Sequence, residues 1–355
     1  MEEMAQEKKE AYEKIVFIDI LKAIACLCVL IGHVINGMIK DGMEISESLR
    51  MINTYVYLFH VPCFFFASGY LYANKRLDTW HAYLQFTRKK LVTLAVPYFA
   101  CSIAYILFSS IMSADMHTAY AVSAIVELWR MPVAQYWYLY ALFEMFLLVP
   151  MIELLLPGLD KKWILLFFVG SALLIRSNVD SVTYVISYTC FFCLGICFNR
   201  ADLLNRRYIR SMNPYKLLVS GLSVSMIVYL LYQWTVAIDI FTPDINAGLK
   251  CLTRLALVVT IVVISTAVSR MNNKVNKALI WLSQYSLYIY LFHTWFTGSL
   301  RIILRKTGIT NDWVQTACGI ALGLAGSLTA AMIIHKVPFL RVWIEPLQVV
   351  GKKER

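Results

Sequence analysis

One stripe of the first hydrophobic segment carries four side chains able to do chemistry. In FIDILKAIACLCVLIGHVIN, Asp19 and Lys22 lie near one end, and His33 and Asn36 near the other. At 100° per residue Lys22 and His33 differ by about 20°, and they stand about 16 Å apart along the axis. Ionisable groups inside a bilayer are costly, so an aligned row of them points to a site or a pathway. A lysine holds phosphates as a point charge, and a neutral imidazole takes up or passes on a proton. A carrier with anionic phosphates at one end and a reactive acyl group at the other fits that separation.

Other polar residues in apolar surroundings extend the set. The segment YVYLFHVPCFFFASGYLY places His60 beside Pro62, which removes a backbone hydrogen bond. It also places Ser68 and Gly69 as a small surface that permits a neighbouring helix or a ligand to approach closely. A basic run, Arg88, Lys89 and Lys90, precedes the next segment; anchoring at a membrane surface explains it as well as anion binding does. Glu144, Arg254 and His293 each lie one to two turns inside later hydrophobic segments. Taken singly, each is explained by an internal hydrogen bond; as a set they are not, because each carries its own insertion penalty. Depth sorts them. Asp19, Lys22 and Arg88–Lys90 lie toward the N-terminal side of the membrane; His33, His60, Glu144, Arg254 and His293 lie from the middle toward the other side.

The elements that position these groups follow from composition. Hydrophobic residues make up 59% of the 355 and charged residues only 15%, too few for a soluble domain of this size. Apolar stretches long enough to cross a hydrocarbon core recur along the chain. The expected fold is an all-α polytopic bundle of about ten transmembrane helices, near 15–37, 51–73, 91–111, 136–156, 162–176, 182–199, 215–235, 250–269, 279–300 and 313–334. The first stretch is too long for a signal peptide and contains Asp19 and Lys22, so it reads as a helix. Residues 1–14 read as a charged cytoplasmic tail, 15–346 as one membrane domain, and 347–355 as a basic tail.

The net charge of +11 is not a nucleic-acid signal here. Lysine and arginine concentrate in alternate loops, by about three to one on the side of the N-terminus, which with an even number of spans puts both termini in the cytoplasm. Cys190, Cys193 and Cys197 share a helix face but have no His or acidic neighbours in sequence. They read as small packing residues, and no metal site is expected.

Three segments together are similar to the acyltransferase-3 family of multipass membrane acyltransferases, particularly its fucose-4-O-acetylase-like branch. They are IDILKAIACLCVLIGH, FHVPCFFFASGYLY and SLYIYLFH, and the likeness runs from about Ile15 to Pro346. Family members pair a basic residue with a histidine after ten intervening positions, here Lys22 and His33; the second segment matches through Phe65, Phe66, Ser68 and Gly69. Many members carry two arginines spaced three apart before the third span, where this chain has Lys90 and Thr93. Some also carry an extracellular SGNH-type domain, of which the sequence shows no sign.

The resemblance implies acyl transfer, usually of acetyl, from cytoplasmic acyl-CoA to a hydroxyl of a cell-envelope carbohydrate, lipid-linked or not, in a bacterial cytoplasmic membrane. Acetyl-CoA would be a co-substrate rather than a bound cofactor. His33 is then the expected catalytic base, with Asp19 ordering the carrier end and Glu144 orienting an imidazole or holding sugar hydroxyls. Lys22, Asn36, His60, Ser68, Gly69, Arg88, Lys89, Lys90, Arg254 and His293 are the expected binding residues. Two other readings remain open at this level. A transporter also lines its route with ionisable residues, although no internal repeat or pair of broken helices is visible. A non-catalytic partner in an envelope-assembly complex would be indifferent to changes at Lys22 or His33.

Overall fold

The computed structural model describes residues 2–75, 77–111, 119–174, 180–203, 207–238 and 242–346, and all regular structure among them is helical. In chain order the helices are α1 (Glu2–Lys40), α2 (Glu47–Tyr72), α3 (Trp80–Lys90), α4 (Val96–Ile111), α5 (Ala124–Glu127), α6 (Trp137–Leu155), α7 (Lys161–Leu174), α8 (Asp180–Arg200), α9 (Arg207–Ser211), α10 (Pro214–Ile238), α11 (Pro243–Ser269), α12 (Lys274–Ser283), α13 (Ser286–Lys306), α14 (Asp312–Lys336) and α15 (Pro338–Ile344). A π-helical segment, Leu91–Ala95, joins α3 to α4, and a single 3-10 turn, Ala134–Tyr136, leads into α6.

Eight helical stretches among the described residues are long and apolar enough to cross a membrane, and the chain is an all-α polytopic bundle. Two expected spans differ from that set. The one near 162–176 is α7, described over Lys161–Leu174, where the described residues stop. The one near 279–300 is broken at Gln284–Tyr285 into α12 and α13. The stretch expected at 91–111 starts earlier, because α3, the π segment and α4 run on as Trp80–Ile111. The N-terminal tail expected at 1–14 continues α1, whose helix begins at Glu2. The basic tail expected at 347–355 lies outside the described residues.

Helix ends are set locally. Thr79, Thr242, Asn273 and Asn311 each accept a hydrogen bond from a first-turn amide, at Ala82, Ile245, Asn276 and Val314 respectively. These caps satisfy donors that have no partner within the helix. The outer faces are apolar: on α10, Val219, Leu231 and Trp234 are exposed, as expected of side chains that meet lipid.

The first helix is the centre of the bundle, packed against α2, α11, α12, α13 and α14. Its face is nearly continuous core: Ile20, Leu21, Ala23, Ala25 and Leu30 are fully buried. At its Lys40 end, Arg301 Nε donates to Asp41 Oδ2 at 2.7 Å, tying α13 to the loop after α1. Gly37 makes room for that arginine, since a Cβ there would lie 2.0 Å from Nη1. Asp312 Oδ2 accepts from the Ser46 amide at 2.7 Å, fixing α14 at the same end.

The most extensive contact joins α2 to α8. Gly69 and Gly195 bring the two backbones together: an added Cβ would lie 1.9 Å from the Phe192 carbonyl oxygen in one case and 2.1 Å from that of Phe66 in the other. Membrane helices gain little by burying apolar side chains away from lipid, so close backbone approach of this kind is what holds them.

Near the end of α6, Glu153 Oε1 lies 3.3 Å from both Lys161 Nζ and Arg200 Nη2, and Tyr72 donates to Oε2 at 2.8 Å. One carboxylate thus joins α2, α6, α7 and α8. Replacing Glu153→Ala leaves two cations without their shared carboxylate, Lys161 partly buried and Arg200 exposed. A loss of about 1–3 kcal/mol is expected, less than for a fully buried pair because both cations reach solvent. The check is the midpoint of thermal unfolding of the detergent-solubilised protein; an unchanged midpoint would remove the cluster's structural role.

Candidate functional site

Three of the expected residues meet in space. The rings of His33 on α1 and His293 on α13 pack edge to face with centroids 4.9 Å apart. His60 on α2 packs on Tyr57 at 4.9 Å, and Tyr57 stands 6.2 Å from His33. A side-chain hydrogen bond joins Asn36 to the Tyr57 phenol, so one turn of α1 and one turn of α2 hold each other in place. Gly32 is the reason the phenol can lie so near, since a Cβ there would meet its ring at 3.0 Å.

Backbone contacts select the imidazole tautomers. His60 Nδ1 lies 2.5 Å from the Val56 carbonyl oxygen, and His293 Nδ1 lies 2.7 Å and 3.0 Å from those of Ile289 and Tyr290. Carbonyl oxygens only accept, so Nδ1 carries the hydrogen in both rings and Nε2 keeps a lone pair. His293 Nε2 is buried and has no protein partner. In its neutral form each ring then offers Nε2 as the acceptor.

His33 and His60 line a cavity of about 360 Å³ that also receives Tyr57, Tyr188, Lys250 and Arg254. His293 stands behind His33, outside the lining and fully buried. In an apolar bundle this is a polar chamber, with hydroxyls, imidazoles and two cations on its wall and no carboxylate among the lining residues. The Arg254 guanidinium carbon lies 5.6 Å from the centroid of the Tyr188 ring, a cation–π contact. Among the described residues no three His, Cys or acidic side chains are placed to hold a metal ion.

The remaining expected residues lie elsewhere. Lys22 Nζ pairs with Asp19 Oδ1 at 2.8 Å, near the N-terminal side of the membrane. Lys22 and His33 do share a stripe of α1, but they do not share this cavity. Between them Ala25, Cys26 and Val29 are buried, with Cys26 packed against Leu282 and Ile289 of α12 and α13. Small residues allow those helices to close on α1.

Glu144 hydrogen-bonds Tyr140 of its own helix and is not part of the cavity wall. Ser68 hydrogen-bonds Tyr138. Gly69 serves the approach of α8 rather than of a ligand. Arg88 and Lys89 are exposed on α3, while Lys90 Nζ sits 3.7 Å above the Phe146 ring. The π segment begins directly after Lys90, and Thr93 Oγ1 donates back to the carbonyls of Lys89 and Lys90. Cys190 and Cys193 are buried in the apolar core around α8.

Sequence reasoning missed Lys250, Tyr57, Tyr188 and Tyr232 as wall residues. Lys250 was findable, since it precedes Arg254 by one helical turn on the same face. Tyr188 and Tyr232 look like ordinary aromatic residues of apolar helices, and nothing in their local sequence sets them apart.

A family model described as an acyltransferase domain matches residues 15–332. Two curated relatives are both called nodulation protein NolL. The protein of Sinorhizobium fredii (strain NBRC 101917 / NGR234) is 29% identical over 187 residues, which cover 51% of this chain and 47% of that protein. The protein of Mesorhizobium japonicum (strain LMG 29417 / CECT 9101 / MAFF 303099) is 25% identical over 183 residues, covering 51% and 46%. The match thus spans about half of this chain and slightly less than half of each relative. No solved structure matches.

Proposed function

This chain belongs to the acyltransferase-domain family, and from that premise we propose that it moves an acyl group from acyl-CoA to a hydroxyl of a cell-envelope carbohydrate. The observation that carries the reading is that His33 and His60 line one polar chamber inside a membrane bundle, with His293 packed behind His33. Acetyl as the group and a sugar as the acceptor follow the likeness of the first segments to fucose-4-O-acetylase-like proteins.

In this reading His33 takes the proton of the acceptor hydroxyl as its oxygen attacks the thioester carbonyl. The carbon–sulfur bond then breaks, the acyl group stays on the acceptor oxygen, and the proton held by His33 passes to the departing thiolate. His293 backs the His33 ring and limits its orientation. His60 offers a second imidazole on the wall of the same cavity. Asn36 acts through Tyr57, as a positioning residue.

The donor's phosphates would lie at Lys22, ordered by Asp19, on a side we assign to the cytoplasm from the charge asymmetry of the loops. Arg88 and Lys89 add positive charge there. Because Ala25, Cys26 and Val29 are packed between Lys22 and His33, the donor's arm reaches the imidazole by parting α1 from α12 and α13. The bacterial relatives favour a bacterial cytoplasmic membrane as the location.

The test is release of free CoA thiol by the purified protein in detergent, given acetyl-CoA and envelope glycan, with mass spectrometry of the glycan. Acylated glycan and thiol in equal amounts are expected. No thiol release, together with glycan movement across proteoliposomes, would replace this reading with transport. Lys22→Ala should raise KM for acyl-CoA about tenfold with kcat nearly unchanged, because it removes binding common to ground and transition states. A fall in kcat alone would move Lys22 from donor binding to the chemical step.

A further inference from the structure

The chamber beside His33 is electrostatically incomplete. Two of its wall residues, Lys250 and Arg254, are cations one turn apart on α11, and no carboxylate lines the same space. No ion pair to either side chain is formed among the described residues. The Nε of Arg254 is buried without a hydrogen-bond partner, and the rest of the guanidinium leans on the Tyr188 ring. Like charges one turn apart repel, although Lys250 is itself exposed. Elsewhere among the described residues, partly buried basic groups have carboxylate partners: Arg301 has Asp41, and Lys161 has Glu153. The Lys250–Arg254 pair has no such partner, and it faces a cavity large enough for a sugar ring.

We propose that this cavity binds a substrate bearing an anionic group, a phosphate or a carboxylate, with the anion on Arg254 and Lys250 and the reacting centre at His33. The inference rests on the acyl-transfer reading and narrows its substrate class. Arg254 presents a planar fork that fits two oxygens of such a group, and Lys250 adds a point charge at the outer end. Asn53 Oδ1, buried without a partner on the same wall, is an acceptor for a sugar hydroxyl. A neutral hexose would leave both cations unmatched. The anion can belong to the acceptor, as in a sugar phosphate or a uronic acid, or to the acyl group, as in a dicarboxylic half-ester.

The experiment measures binding without turnover. The full-length protein in detergent is titrated calorimetrically with glucose 1-phosphate, glucuronate and glucose, and separately with succinyl-CoA and acetyl-CoA. The proposal expects the sugar or acyl group that bears the anion to bind at least about tenfold more tightly than its counterpart without that charge. Arg254→Gln should abolish that preference and Arg254→Lys should keep part of it. A preference in the sugar series places the anion on the acceptor, and one in the CoA series places it on the acyl group. Equal affinity for the members with and without the added anion in both series overturns the proposal. So does a preference that survives Arg254→Gln. Should Arg254→Gln fail to fold, Lys250→Gln takes its place, with the same preference expected to fall and an unchanged preference counting against. His33→Ala should bind the anion normally, so loss of transfer and loss of anion binding report on the two readings separately.

Discussion

Replacing His33→Ala is expected to lower kcat for acyl transfer by about two to four orders of magnitude, the range set by loss of a general base. The ring sits at the wall of the chamber, half-buried, with His293 behind it and Tyr57 beside it. Removing it enlarges an existing space rather than opening a void in packed core, so expression and the thermal midpoint should change little. KM for acyl-CoA should also hold, since the donor's phosphates are assigned to Lys22. The measurement is thiol release at saturating donor, beside a melting curve of the same preparation. Wild-type turnover would remove the catalytic role, and a collapsed melting curve would show the ring to be structural. His293→Gln offers a finer contrast. It keeps a polar group behind His33 but changes what the ring leans on, so kcat should fall with KM preserved.

The second large effect concerns the contact between α2 and α8. Gly195→Ala would put a methyl group 2.1 Å from the Phe66 carbonyl oxygen and 2.7 Å from the Tyr70 amide nitrogen. Both obstacles are backbone atoms, which no rotamer change can move aside. The helices must separate, and the aromatic contact of Phe66 with Phe198 across them loosens. Overpacking of this kind costs about 1–3 kcal/mol or more. The α2 helix also carries His60 and Tyr57, so activity should fall together with stability. The check is size-exclusion behaviour and thermal midpoint in detergent. Gly170→Ala serves as a control, because nothing lies within 4 Å of a Cβ there. An unchanged Gly195→Ala protein would mean that the two backbones have room to part.

Much of the site was legible in the chain. A buried histidine in an apolar helix is conspicuous because few residues tolerate that environment, and all three imidazoles of the cluster were identified that way. Their spacing along each helix was legible too, because helical rise converts sequence position into distance. Partner identity was not. Glu144 lies at a suitable depth and still bonds Tyr140 on its own helix, and depth says nothing about which way a side chain turns. Ser68 and Gly69 announced a close approach without naming the approaching helix. The ninth expected span, read as continuous, is broken at Gln284–Tyr285, where Ser283 closes its hydrogen bond on the Ile280 carbonyl and α13 restarts.

What the sequence determined by itself is therefore the solvent and the alphabet: a membrane protein made of helices, with a small number of costly polar groups at known heights. Hydropathy and helical geometry are local properties, so local stretches suffice for them. Only the tertiary structure decided that His33 meets His293, that Lys250 and Arg254 share a chamber with both His33 and His60, and that Lys22 stays apart with Asp19. Those outcomes depend on which helix faces interlock, through glycines such as Gly69 and Gly195 far apart in the chain. In lipid nearly every apolar face is equally comfortable, and shape complementarity between distant segments makes the choice.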